Sequence, residues 1–89
     1  MKLIIAVVPD QDAEPVLQAL LARDLRVTRT SSSGGFLRRG NVTLWVGVEE
    51  ERLEEALGAI RTAVSRGERD PGERRAMVFV LNVVRFEQL

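Results

Sequence analysis

The chain has 89 residues and carries 13 Lys or Arg against 13 Asp or Glu, so its formal net charge is zero. This balance argues against non-specific binding to nucleic acid polymers or anionic membranes, which basic proteins achieve through overall charge. The absence of cysteine excludes disulfides, thiol catalysis and zinc-thiolate sites, and the absence of histidine removes the usual general base and metal ligand.

These totals favour one small cytoplasmic domain spanning residues 1–89 and leave little room for enzyme chemistry. A chain of this size buries only about 60 to 65% of its unfolded surface, so association with further copies helps to stabilise it. No uninterrupted run of about 18 apolar residues is present, and the apolar start at residues 3–8 is too short for a signal sequence or a membrane span.

The first half of the chain alternates between strand and helix patterns. Residues 1–8 are apolar and rich in β-branched side chains, which is typical of a strand buried on both faces. From Asp12, a suitable N-cap, apolar residues recur at helical spacing, with Pro15 tolerated in the first turn. Residues 25–31 then alternate between apolar and polar side chains, which predicts a second strand.

The second half of the chain repeats this order. Residues 42–48 alternate and predict a third strand, which the chain enters at Asn41. Residues 50–64 predict a second amphipathic helix, with acidic residues at its start and arginine at its end. A polar turn at residues 66–75 leads to a last apolar strand at 77–84 and a short tail.

The order β-α-β-β-α-β predicts an α+β, ferredoxin-like fold, in which two helices cover one face of a four-stranded antiparallel sheet. The first and last predicted strands are apolar on both sides, so the face without helices needs a cover. Copies of the same chain are the most economical cover. The pattern therefore predicts a homo-oligomer.

Polar and basic residues are concentrated between the second and third strands, at residues 26–43. Arg26 and Thr28 lie two residues apart, and therefore on one face of a strand, where a guanidinium and a hydroxyl can bind one phosphate. The following loop has glycines whose N–H groups can surround phosphate oxygens, and Phe36 offers a ring on which a base can stack. An anionic, flat ligand fits these residues, although a solvated strand face and a flexible hairpin loop also explain them.

Three other uses of this fold conflict with the sequence. An acylphosphatase-type enzyme needs a cationic loop after the first strand, and here residues 9–12 are acidic. A metallochaperone needs cysteine or histidine, and an RNA-recognition module needs aromatic residues on its central strands, of which the first has none.

Two single residues in the predicted strands have simple structural explanations. Trp45 is most simply a sheet residue at a subunit interface. Asn82, which interrupts the last apolar strand, is explained by backbone pairing or by an interface.

The order of several short motifs resembles the PII-like cyclic di-AMP receptor family over nearly the whole chain. The motifs are residues 1–8, Asp10, Asp12, Arg26-Val-Thr28, Ser33-Gly-Gly-Phe-Leu37, Gly40-Asn41, Thr43, Gly47-Val48, Val78-Phe-Val-Leu81 and Arg85-Phe-Glu87. The resemblance implies ferredoxin-like protomers that form a trimer, with one cyclic dinucleotide in each cleft between subunits and no catalysis. It also implies that the loops transmit ligand occupancy to a target protein.

By position, the resemblance implies ligand contacts from several parts of the chain. The implied contacts are Arg26 and Thr28 of the second strand, Gly35, Phe36, Leu37 and Asn41 of the loop, Gly47 of the third strand, and Phe79 and Gln88 of the last strand and tail. No metal or other cofactor is implied. Arg26, Thr28 and Phe36 are also the residues that the argument from phosphate and base binding selects.

Two features of the chain depart from the family pattern. Asp24 stands where the family usually has asparagine, so a group that cannot donate a hydrogen bond brings negative charge near the ligand phosphate. The loop at residues 66–75 is much shorter than its counterpart in the family and ends in Glu73-Arg74-Arg75. Cyclic di-AMP is the expected ligand. The alternatives are a trimeric adaptor that has lost this ligand or a sensor of another adenine nucleotide, such as ATP or ADP.

Overall fold

The computed structural model describes residues 1–31, 41–64 and 76–89. The strands are β1 (Lys2–Pro9), β2 (Val27–Ser31), β3 (Asn41–Val48) and β4 (Met77–Asn82), and the α-helices are α1 (Asp10–Leu21) and α2 (Leu53–Val64), the latter preceded by a 3₁₀ turn at Glu50–Arg52. All neighbouring strands pair antiparallel in the order β2-β3-β1-β4. The predicted ferredoxin-like βαββαβ fold is thereby confirmed. The predicted turn at 66–75 lies outside the described residues.

The hydrophobic core lies between the two helices and one face of the sheet. Alternate residues of β1, namely Ile4, Ala6 and Val8, are fully buried there. Their partners in the core are Ala13, Val16, Leu20, Leu25, Val42, Leu44, Val46, Val48, Ala56, Ala59, Ile60 and Ala63. Each fully buried Val, Leu or Ile contributes about 1.5 to 3 kcal/mol. None of the described helices is long and apolar enough to cross a bilayer.

Helix α1 begins at Asp10, two residues before the predicted N-cap at Asp12. Pro9 occupies the N-cap position, with φ −60° and ψ 150° and no side-chain capping hydrogen bond. The prediction of Asp12 as the N-cap was therefore wrong. Pro9 has an extended backbone that ends β1 and also precedes the helix, so no linker separates the two. Asp10 and Asp12 both lie in the first turn, where carboxylates stabilise the positive end of the helix dipole.

Asn82 ends the last strand two residues earlier than predicted. Its carboxamide oxygen accepts a hydrogen bond from the ammonium group of Lys2, its neighbour across the β1–β4 pair. The same ammonium lies 3.9 Å from a carboxylate oxygen of Glu50. The Val83 N–H then donates to the Met1 carbonyl at 3.1 Å. The chain therefore stays beside β1 for one more residue before the tail begins.

The face of the sheet away from the helices, here called the open face, is largely apolar. On this face β1 and β4 pair Leu3 with Leu81 and Ile5 with Phe79. The edge strand β4 is exposed along its length, and its apolar residues 77–81 are 39 to 52% exposed. An exposed apolar edge strand is a surface on which a second chain can pack. These exposures agree with the predicted homo-oligomer, which stays a prediction.

The turn between α1 and β2 is held by backbone hydrogen bonds. The N–H groups of Asp24 and Leu25 donate to the carbonyls of Leu21 and Leu20 at 3.0 and 3.3 Å, respectively. Asp24 has a φ of 59°, in the left-handed region that favours glycine or asparagine after a helix. β2 begins at Val27, two residues after the predicted start at Leu25, so Arg26 lies just before the strand and this turn sets the direction in which the chain enters it.

Replacing Leu81 by aspartate should give a smaller particle than the wild type, because a carboxylate on the open face opposes burial against a second chain. Light scattering at micromolar concentration measures the mass. Val84→Asp adds the same charge at a residue that is 99% exposed, and this control should keep the wild-type mass. A single-chain mass for the wild type would contradict the predicted oligomer.

Asp24→Gly should be more stable than Asp24→Ala by about 1 kcal/mol, because only alanine keeps a Cβ that clashes in the left-handed region. Both variants remove the carboxylate, so their difference isolates the backbone effect. Urea unfolding followed by circular dichroism measures the two free energies. Equal stability of the two variants would show that the positive φ at this residue carries no cost.

Candidate functional site

A cavity of about 400 Å³ lies on the open face, where the strand ends meet the tail. Its walls are formed by Met1, Leu3, Arg26, Thr28, Trp45, Gly47, Val83, Phe86 and Gln88. The volume falls in the range of small-ligand sites, about 300 to 1,000 Å³. Since residues from both ends of the chain and from two of its central segments converge here, we take this cavity as the candidate ligand site.

The register of the sheet explains why these residues meet. β1 and β3 pair Leu3 with Gly47, and β2 and β3 pair Thr28 with Trp45. Directly paired residues project to the same face of an antiparallel sheet, as do residues two apart in one strand. Val46, between Trp45 and Gly47, is fully buried against the helices. The two pairs therefore project to the open face.

The structure brings some of the predicted ligand residues together and separates others. Those that border the cavity are Arg26, Thr28, Gly47 and Gln88. Asn41 pairs with Pro9 at the opposite end of β3, roughly 20 Å from Gly47 at the usual strand rise. Phe79 projects from the edge strand opposite Ile5 and is exposed. Neither Asn41 nor Phe79 borders the cavity of one chain.

The predicted loop contacts Gly35, Phe36 and Leu37 lie outside the described residues. The ligand roles assigned to them, and to the residues that the structure does describe, stay predictions. What the geometry adds is that residues 26 and 28 share one cavity with residues 47 and 88, although the four are widely spaced in the sequence.

Several cavity residues were not identified from the sequence. They are Met1, Leu3, Trp45, Val83 and Phe86. Alternation within the third strand already places Trp45 on the same face as Gly47, so its two-residue spacing from Gly47 could have predicted its place in the site. Val83 and Phe86 depend on the path of the tail after β4, for which the sequence pattern contains no signal.

The charge that side chains bring to this cavity is positive. Among the side chains of the described residues that line it, Arg26 carries the only basic group, and none is acidic. The other polar groups there are the hydroxyl of Thr28 and the carboxamide of Gln88, beside the indole of Trp45. In residues 1–31, 41–64 and 76–89, no acidic cluster is suited to hold a metal ion. This combination suits an organic anion with flat apolar parts.

A smaller cavity of about 180 Å³ adjoins the first, and its lining includes acidic side chains. The residues that both cavities share are Met1, Arg26 and Gly47. The smaller cavity is also lined by Asp24, Glu49 and Arg52. Carboxylates accept hydrogen bonds but cannot donate them, so this side suits the amino or hydroxyl groups of a ligand and disfavours its phosphates.

Arg52 links this smaller cavity to the turn before β2. Its Nη2 donates to the Arg23 carbonyl at 2.7 Å, and its Nε and Nη2 donate to the two Glu55 carboxylate oxygens at 3.1 and 3.3 Å. The hydrogen bonding within this pair raises the pKa of Arg52 and lowers the pKa of Glu55. The Arg52 guanidinium is thus engaged within its own chain, whereas Arg26 borders both cavities.

A separate depression of about 390 Å³ lies between α1 and α2, on the side away from the open face. Small residues such as Ala19, Ala59 and Ala63 form part of its lining. Its arginine, Arg23, donates from Nη1 to the Ala19 carbonyl at 2.9 Å. These groups do not select a class of ligand, so the cavity on the open face is the better candidate.

Comparison with known proteins identifies the family to which the chain belongs. The sequence model of the family described as cyclic-di-AMP receptor matches residues 1–70. The chain therefore belongs to the cyclic-di-AMP receptor family, as its motifs predicted. A crystal structure of a functionally unknown protein from Pediococcus pentosaceus is similar, with a TM-score of 0.78 and 39% identity over 99% of this chain and 96% of that one. Family membership indicates a signalling receptor with a nucleotide as the expected class of ligand.

Proposed function

We propose that this protein is a PII-like signalling protein that binds cyclic di-AMP at the clefts between the subunits of a homotrimer. It relays ligand occupancy to a target protein and catalyses no reaction. The observation that carries this proposal is the convergence of Arg26, Thr28, Gly47 and Gln88 on one cavity of the open face. Membership of the receptor family supports the nucleotide. The proposal retains the cytoplasmic location expected from the sequence.

Arg26 and Thr28 bind a phosphate of the ligand in the proposed complex. The guanidinium donates two parallel hydrogen bonds, and the hydroxyl donates a third. The neighbouring Arg29 has a different role, because it faces the helices and its Nη1 lies 3.2 Å from a Glu14 carboxylate oxygen. Two arginines only three residues apart thus have different surroundings, Arg26 at the cavity and Arg29 beside Glu14.

Gly47 keeps the cavity open in this proposal. Its φ lies outside the left-handed region, and apart from the glycine and its two chain neighbours no described residue has an atom within 4 Å of where a Cβ would be. The protein backbone and core therefore do not require glycine at this position. A side chain here would occupy the space between the two adjoining cavities, which the ligand is proposed to use.

A second chain completes the site in this proposal. Asn41 and Phe79 lie away from the cavity of their own chain, so they can contribute only where another part of the assembly brings ligand to them. The exposed apolar β4 supports contact between chains. The relay is a population shift, in which bound ligand favours the loop arrangement that a target protein recognises.

Isothermal titration calorimetry with cyclic di-AMP, cyclic di-GMP, ATP, ADP and AMP tests the proposal. We expect binding of cyclic di-AMP with one ligand per chain. Binding of ATP or ADP in its place would favour the adenine nucleotide sensor, and no heat with any nucleotide would reject the receptor function. Chromatography of the nucleotide after incubation checks that it stays intact.

Arg26→Ala should weaken cyclic di-AMP binding by more than about 1 kcal/mol, or about fivefold, because charge-assisted hydrogen bonds are lost. Arg29→Ala is the matched control, since it removes the same charge three residues further on, from the helix face of β2. We expect its affinity to stay near that of the wild type in calorimetry. Equal affinities for the Arg26 variant and the wild type would show that Arg26 is not a ligand contact.

Gly47→Ala should keep the fold and weaken cyclic di-AMP binding severalfold, because the added methyl group occupies the cavity. Gly58→Ala is the matched control, since Gly58 lies in α2 and a Cβ there likewise meets nothing within 4 Å beyond its chain neighbours and the backbone of its own helix. That control should raise the free energy of unfolding by about 0.5 to 1 kcal/mol and leave the affinity unchanged. If Gly47→Ala binds as tightly as the wild type, the ligand does not use the space beside Gly47.

A further inference from the structure

We propose that Trp45 is a ligand contact whose indole ring stacks on a base of the bound nucleotide. This inference rests on the proposed function, because it specifies a contact within the same site. Trp45 is the only tryptophan of the chain. It lies in β3, one of the two inner strands of the sheet, and its side chain borders the cavity on the open face.

The orientation of the indole ring is set within the protein. Its Nε1 donates a hydrogen bond to Thr30 Oγ1 at 3.0 Å, across the β2–β3 pair. The Thr30 hydroxyl donates in turn to the Thr43 carbonyl oxygen, with 3.4 Å between the two atoms. This chain of hydrogen bonds holds the ring before a ligand arrives. Binding then loses less side-chain entropy than it would with a mobile ring.

The chemistry of the remaining surface points to stacking. The N–H is the only hydrogen-bond donor of an indole, and here it is used inside the protein. The residue is nevertheless 37% exposed. The accessible surface can therefore offer contact with a flat π system but no further donor. Such a contact adds affinity for any base, so the choice between bases falls to the polar groups of the site.

The position of Trp45 suits a ligand whose phosphate is bound by Arg26. Trp45 is paired directly with Thr28, and Arg26, which immediately precedes β2, lines the same cavity. A nucleotide carries its base and its phosphate on one ribose. Leu3 and Phe86 add apolar surface to the same cavity. One ligand can thus contact the guanidinium and the ring together.

The competing role for Trp45 is packing at an interface between subunits. The two roles differ in what they change. Loss of an interface residue alters the mass of the ligand-free particle, whereas loss of a stacking residue alters the affinity at unchanged mass. Replacement by phenylalanine keeps an aromatic ring, and replacement by leucine keeps apolar bulk without a ring. The pair of variants therefore separates stacking from hydrophobic packing.

The test combines calorimetry with the fluorescence of the single tryptophan during titration with cyclic di-AMP. We expect the ligand to change the Trp45 emission with the same midpoint as the calorimetric curve. Trp45→Phe should keep the Kd within about threefold, and Trp45→Leu should raise it by about 5- to 100-fold. Leu21→Ala is the control, because Leu21 is an exposed apolar residue on α1 and its loss should leave the Kd unchanged.

Four outcomes overturn the inference, and they differ in whether the proposed function survives. Equal Kd values for the wild type and Trp45→Leu, or ligand binding without a change of emission, overturn it while the proposed function stands. A changed mass of ligand-free Trp45→Leu in light scattering assigns Trp45 to the interface instead. Failure of the wild type to bind cyclic di-AMP in calorimetry overturns the proposed function itself, and the stacking contact with it.

Discussion

The register of β3 between β1 and β2 is the constraint on which the rest of this structure depends. A shift by one residue would turn Trp45 and Gly47 toward the helices and expose Val46, because side chains in a strand alternate between faces. The fully buried Leu44 and Val46 oppose such a shift, at about 1.5 to 3 kcal/mol for each side chain lost from the core. The packing of the core thereby selects the residues that line the cavity on the other face.

The two faces of the sheet therefore have different roles. The helix face holds the core and the ion pair between Arg29 and Glu14. The open face holds the candidate site and the exposed apolar strand β4. In the proposed trimer, the same lack of a helical cover that exposes β4 also leaves room for a ligand beside Arg26. The site and the subunit contact are then two uses of one uncovered surface.

The turn between α1 and β2 is the second determinant of the site. It carries Asp24 in the left-handed region and leads directly to Arg26. Arg52, just before α2, donates to the Arg23 carbonyl in this turn and is held in turn by Glu55. Hydrogen bonds therefore connect the start of the second helix to the turn that positions Arg26, the residue proposed to bind a phosphate of the ligand. Asp24 and Arg52 also line the smaller cavity, so this tie forms part of its wall.

The amino-acid sequence by itself determined the elements, their order and the shared face of Arg26 and Thr28, because periodicity is a local property of each segment. It missed the start of α1, where Pro9 serves strand and helix at once. Only the tertiary structure decided that Gly47, Trp45 and Gln88 meet this pair at one cavity. Strand register and the path of the tail depend on packing between segments that are distant in the chain, and no local pattern encodes that packing.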